Sequence, residues 1–224
     1  MVKHRLTSLE WIILVAGTIL LALGFIFFYT DKPQFDEYVK EDGLVEWITV
    51  LGLLGGSIVC FRRFMKLFRQ KSRWFLFITF FLALFLFFAA GEEISWGQRV
   101  IGIETPEYFQ KNNAQQETNL LHLVVGGVKL NKLLFSIVLV SVMGIYLVVV
   151  PILYQRHKAG KQLIDRWGIP VPHWYQVIGF LIVFIATSLI ADGKRAELLE
   201  CVGALLVFLM MLYPANKSTF NAIA

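Results

Sequence analysis

Six apolar stretches approach the ~20 residues that a helix needs to cross a bilayer: residues 9–29, 44–61, 74–93, 133–154, 174–191 and 196–213. The second, third and sixth reach that length only when their polar ends are counted. Counting them brings Glu46, the adjacent Glu92 and Glu93, and Glu197 with Glu200 to one depth. The pattern predicts an all-α polytopic membrane bundle of six transmembrane helices and a single integral domain over residues 1–224. It also predicts one outer loop, residues 100–132, carrying short interfacial helices. In that loop Thr105, Pro106 and Glu107 read as N-cap, first-turn proline and early acid of a short helix. Residues 120–128 are apolar but too short to span, so they are expected to lie along the interface or dip in as a re-entrant segment.

Composition agrees with the pattern: 57% hydrophobic and 17% charged residues depart from the soluble norm of roughly half apolar and a quarter charged. The apolar run after Lys3, His4 and Arg5 exceeds the ~7–15 residues of a signal-peptide core and lacks an Ala-x-Ala exit, so it reads as a retained first span. Charge then sets the orientation. Arg62, Arg63, Lys66, Arg69, Lys71 and Arg73 crowd one loop, and Arg156, Lys158, Lys161 and Arg166 another. By the positive-inside rule both face the cytoplasm. Six spans then put both termini inside, with thirteen of the 21 Lys/Arg and two of the 16 acids. That is +11 inside against −6 outside, in accord with the net charge of +5. Tryptophans at both ends of the spans fit an interfacial belt. The expected location is the inner (plasma) membrane. The basic residues flank spans and form no nucleic-acid motif, so their expected partners are membrane lipids and no nucleic acid. Cys60 and Cys201 fall near opposite ends of their spans, about 20 Å apart in depth at ~1.5 Å per residue, and no disulfide is expected.

The stretch Ala89–Arg99 (Ala-Ala-Gly-Glu-Glu-Ile-Ser-Trp-Gly-Gln-Arg) is the candidate functional site, because an apolar span runs into two adjacent carboxylates with no loop signal between. Acidic groups at the edge of the hydrocarbon cost a few kcal/mol each and therefore face a protein interior, a partner or a ligand. On a helix Glu92, Ser95, Trp96 and Arg99 would follow one face, as would Asp42 with Glu46 and Glu197 with Glu200. Spans two, three and six would line the site, and small residues such as Gly52, Gly56 and Gly91 would let them approach.

Paired carboxylates in a low dielectric need a cation, a metal or a shared proton. Glu92, Glu93, Arg99 and His122 are the candidate catalytic groups, and Trp96, Gln98 and Asn119 candidate substrate contacts. Glu46 and Glu200, with Glu92, Glu93 and His122, could ligate a divalent metal that activates water. A glutamate could equally serve as general base. The bland alternative is a Glu-Arg and Glu-His network that fixes the bundle, and for Asp42 and Glu197, nearer water, that reading is preferred.

Gly91-Glu92-Glu93-Ile94-Ser95-Trp96-Gly97-Gln98-Arg99, followed by Glu117-Thr118-Asn119 and His122, resembles a group of bacterial multi-pass inner-membrane proteins that share this motif. Glu41-Asp42-Gly43 and Glu46-Trp47 fit the same group. The resemblance implies a membrane bundle and no particular activity. In that pattern the histidine stands four residues after the glutamate, whereas His122 stands five after Glu117. A looser likeness is to the CAAX-processing type of intramembrane protease, whose paired glutamates precede an arginine. Here Arg99 lies six residues past Glu93 instead of four, and that family's later His/Asn motif is not visible.

The leading functional expectation is a membrane-embedded hydrolase or transferase acting on a lipid or lipid-linked substrate. The alternatives are a proton- or ion-coupled transporter and a non-catalytic subunit of a membrane complex. Against transport, the inner halves of the spans are nearly free of charge and no internal repeat is evident.

Overall fold

The computed structural model describes residues 5–120, 122–125, 128–129 and 138–222. In chain order the helices are α1 (Ser8–Thr30), α2 (Lys32–Tyr38), α3 (Leu44–Leu67), α4 (Arg73–Glu93), α5 (Gln98–Ile101), α6 (Glu107–Asn112), α7 (Val140–Arg156), α8 (Lys158–Trp167), α9 (Trp174–Ser188) and α10 (Arg195–Leu212). Among the described residues the only paired strands are Val124–Val125 and Val128–Lys129, joined antiparallel. The protein is therefore all-α. Three helices, α1, α3 and α4, are long and apolar enough to cross a membrane. Both α7 and α9 are shorter apolar helices, and α10 runs for 18 residues with Glu197 and Glu200 in its first two turns.

Local sequence explains where these helices start. A Thr7/Glu10 capping box opens α1, and the Ser72 hydroxyl accepts from Phe75 N at the head of α4, each satisfying a helix N–H that has no partner within the helix. Residues 120–128, where described, form a turn and a strand pair. One expectation on the loop is corrected. The short helix begins at Glu107 with Pro106 at its N-cap and no side-chain cap, because the Thr105 hydroxyl instead accepts from Gln98 Nε2. Residues 133–137 of the fourth expected span lie outside the described residues.

Packing centres on α10, which lies against α1, α3 and α9, while α3 also carries α4. Leu198, Cys201, Leu209 and Met210 of α10 are fully buried. Burial ranks the long helices: 44% of the apolar window of α3 is buried against 17% for α1. The outward side chains of α1, such as Ile12, Val15, Ile19 and Ile26, are exposed aliphatics. A surface of that kind matches lipid and not water. Close approach of α3 to α10 depends on Gly52, where a Cβ would meet the Ala204 backbone at 3.0 Å. The Ser57 hydroxyl donates to Ala83 O at 2.8 Å and ties α3 to α4. Cys60 and Cys201 are both buried and free.

Candidate functional site

At the carboxylate end of the bundle α4 stops at Glu93, and the chain turns sharply through Ser95, Trp96 and Gly97, with φ of 46°, 57° and 74°. Two consecutive non-glycine residues in the left-handed region are sterically costly and persist only where the surroundings enforce them. Here the surroundings are specific. The Trp96 indole lies across the end of α4, so close that a Cβ on Gly91 would sit 2.8 Å from the ring. It packs edge-on against Phe87 and Phe88, and its Nε1 donates to Glu92 Oε1 at 2.7 Å. The Ser95 hydroxyl donates to Glu117 and accepts from Asn119 Nδ2 at 2.8 Å. The expectation that Glu92, Ser95, Trp96 and Arg99 follow one helical face is thus corrected, since the helix breaks between Glu93 and Ser95.

The turn throws Arg99 back over the start of α3. Its Nη2 donates to Glu46 Oε1 at 2.5 Å, and Nη1 donates to both Glu117 oxygens at 2.9 and 2.8 Å. Its Nε lies 2.9 Å from Asp42 Oδ2, an ion pair without hydrogen-bond alignment. Burial opposes the Arg99 charge, but the hydrogen bonds to Glu117 and the nearby Glu46 outweigh it, and the guanidinium is held above its ordinary value. Glu46 is 5% exposed at its side chain, and it also accepts from Asp42 N at 2.5 Å. Asp42 itself stands at φ 57°, just before the first turn of α3. This arginine-centred network joins the heads of α3 and α5 to the loop around Glu117.

The adjacent glutamates part company. Glu92, buried, accepts from Trp96 Nε1 and from Leu120 N at 2.6 Å, facing the loop. Glu93 faces the other way, towards α10: one carboxylate oxygen from each of Glu93, Glu197 and Glu200 lies within 4.8 Å of the others. Among the described residues no Lys, Arg or His is ion-paired to these three. Glu46 and Arg99 nevertheless lie close enough to Glu93 to act on it electrostatically. The metal-ligand set expected from sequence is therefore redistributed. Glu93 and Glu200 meet as expected, Glu197 joins them, and Glu46 and Glu92 are held by Arg99 and by the loop. Glu197 shares a helical face with Glu200, three residues on, but its position near the chain's return to water had favoured the bland alternative for it.

The remaining candidates belong to the loop. Gln98 donates to the Thr105 hydroxyl and accepts from Thr118 N at 2.7 Å. Asn119, 2% exposed, accepts at Oδ1 from Asn113 Nδ2 and from His122 N. The His122 ring places Nδ1 3.2 Å from the same oxygen, a contact that needs the proton on Nδ1. Sequence reasoning named Ser95 on the expected helical face and Glu117 in the motif but not their bond to each other, and it missed Asn113, since nothing in spacing alone pairs a loop residue with a helix end 22 positions away.

Comparison with family models, curated proteins and solved structures finds no match. The chemistry of the site is the basis for any functional reading.

Proposed function

We propose that the protein is a six-span inner-membrane enzyme, a hydrolase or transferase that acts on a lipid or lipid-linked substrate at the outer leaflet, with both termini cytoplasmic. The observation that carries this reading is the convergence of Glu93, Glu197 and Glu200 from two helices within 4.8 Å. Three carboxylates so close repel one another unless a cation or shared protons intervene, and Arg99 is already ringed by Asp42, Glu46 and Glu117. An all-oxygen set of this kind suits a hard divalent cation. A bound cation would polarise a phosphoryl or carbonyl oxygen or lower the pKa of a water. Glu93, Glu197 and Glu200 would hold it, and the arginine network would tie the turn that follows Glu93 to the head of α3. The charge asymmetry between the two ends of the bundle supports the orientation.

The test uses purified protein in lipid nanodiscs. Mn²⁺ binding followed by electron paramagnetic resonance should show a saturable site that Glu93→Gln, Glu197→Gln and Glu200→Gln each weaken at least about tenfold, by analogy with the loss of a metal-site partner. Head-group release from a panel of phospholipids and lipid-linked sugars, read by mass spectrometry, should depend on the same residues. Mn²⁺ binding that is absent from the wild type, or indifferent to all three substitutions, would refute the metal centre. Cation flux in proteoliposomes without product release would favour a transporter.

A further inference from the structure

The segment after α4 is built inside out for a loop in water. Its polar residues point inward: Ser95 is 1% exposed and Gln98 9%, and the Arg99 side chain is 19% exposed. Its apolar residues point outward: Val100, Ile101 and Ile103 are 63%, 69% and 59% exposed, flanked by exposed Trp96 and Tyr108. In water the favourable arrangement is the reverse, since exposed aliphatics are costly and buried polar groups gain little. The inversion is explained if the medium around this segment is itself apolar.

The outward surface is also continuous with that of a membrane-length helix. Exposed Phe87 and Phe88 on α4 carry the Trp96 ring, at centroid distances of 6.2 and 5.5 Å. From there the chain leads directly into Val100 and Ile101. Exposed Glu104 and Glu107 then mark its return to water. Aliphatic residues flanked by tryptophan and tyrosine, with acids beyond, are the composition of a bilayer interface.

We propose that the segment from Trp96 to Ile103 is seated in the lipid leaflet at the carboxylate end of the bundle, with Val100, Ile101 and Ile103 among the upper acyl chains. The inward polar face of the same segment closes over the Arg99 network. The sequence pattern led to the expectation of short interfacial helices in the loop over residues 100–132, with residues 120–128 along the interface or re-entrant; the exposed aliphatics single out Trp96 to Ile103. This seating is independent of whether Glu93, Glu197 and Glu200 perform chemistry.

Spin labels attached through Ile101→Cys, Ile103→Cys and, as a water-facing control, Lys111→Cys test it in nanodiscs. The buried native cysteines stay in place, and the unsubstituted chain run in parallel measures any label they take. Positions 101 and 103 should show a collision ratio of oxygen to a nickel chelate several-fold higher than position 111. Both substituted isoleucines are exposed, so the fold should tolerate the change, and an unchanged melting temperature checks that it does. A ratio at 101 and 103 equal to that at 111 overturns the proposal, because the segment would then stand in water. Low collision with both reagents, together with dipolar broadening that disappears on dilution with unlabelled chain, also overturns it and makes a second copy of the chain the occupant.

Discussion

Replacing Arg99 with glutamine should destabilise the fold far more than any single glutamine substitution in the Glu93 cluster. Arg99 faces four carboxylates of graded exposure: Glu46 at 5%, Glu117 at 14%, Asp42 at 42% and Glu41 at 57%. The last two pairs are exposed enough for water to screen them, and each is worth about 0–1 kcal/mol. Glu46 and Glu117 are different. Removing their cation strands buried carboxylates, and breaking a buried pair costs about 3–5 kcal/mol. For a chain of this size that corresponds to a fall in melting temperature on the order of 10 °C. The assay is thermal unfolding in one detergent or nanodisc composition, with Arg99→Gln, Glu46→Gln and the double variant measured together. The double variant should recover part of the loss, because the stranded charge of Glu46 is gone while that of Glu117 remains. An Arg99→Gln variant that melts within a degree or two of wild type would refute the argument that the arginine holds the ends of α3 and the loop together. No recovery in the double variant would show that the cost lies in packing and not in the charge.

Three further outcomes follow from the geometry. Glu200→Gln should raise the melting temperature in a chelator-treated sample, since unit charges within 4.8 Å repel by about 3 kcal/mol at an effective dielectric of ~20 if fully ionised. Added Mn²⁺ should narrow or reverse that difference, and a loss of stability in chelator would refute the crowding. Gly91→Ala should cost about 1–3 kcal/mol, because the new methyl would meet the Trp96 ring at 2.8 Å; thermal unfolding at wild-type temperature would show that the ring moves freely. At the same end of the bundle, hydrogen bonds from Lys32 lower the carboxyls of Asp36 and Asp192. Their contribution is present above the ordinary value of 3.8 and is lost as pH falls through the lowered folded values. The melting temperature should therefore fall less steeply below pH 3.8 for Asp192→Asn than for wild type, by a small amount that salt screens further.

The helical, membrane-type character of the chain was legible because it rests on long apolar runs, and such runs leave few alternatives. Among the described residues α1 and α4 fall within a residue of their expected bounds, with α4 ending at Glu93 as the depth argument required, whereas α3 runs six residues past the expected 61 to Leu67 and takes in Arg62, Arg63 and Lys66, which were expected in a loop. What periodicity could not show is the turn at Ser95 and Trp96. Neither residue is a usual occupant of the left-handed region, and the conformation is imposed from outside by the Trp96 ring, Glu117 and Asn119. Once the turn is missed, the pairing of Glu92 with Glu93 is misread as well. Extending α4 as an ideal helix keeps Glu92 on the face of Arg99, whereas the break sends Arg99 to Glu46 and leaves Glu93 to α10. Likewise Gln98 and Asn119 were recognisable as functional-looking polar residues, but only coordinates reveal that the loop's own backbone and side chains engage them.

The division of labour among the acids has a physical consequence for where reactivity can reside. A carboxylate that accepts charged hydrogen bonds from a guanidinium has its oxygens already engaged, and binding a metal ion there would forfeit those bonds. Glu46 and Glu117 are in that position, each bonded to Arg99. Glu92 is likewise committed, to an indole N–H and a backbone N–H. Glu93, Glu197 and Glu200 have one another as neighbours, so their charge can be met by a proton or by a metal ion without breaking an existing pair. Arg99→Gln should therefore reduce Mn²⁺ affinity only indirectly, through loosening of the turn after α4, while Glu93→Gln should reduce it directly and without loss of stability. Equal losses of affinity in the two variants, with stability intact in both, would show that the arginine network and the carboxylate cluster form one binding site and are not separate parts with separate tasks.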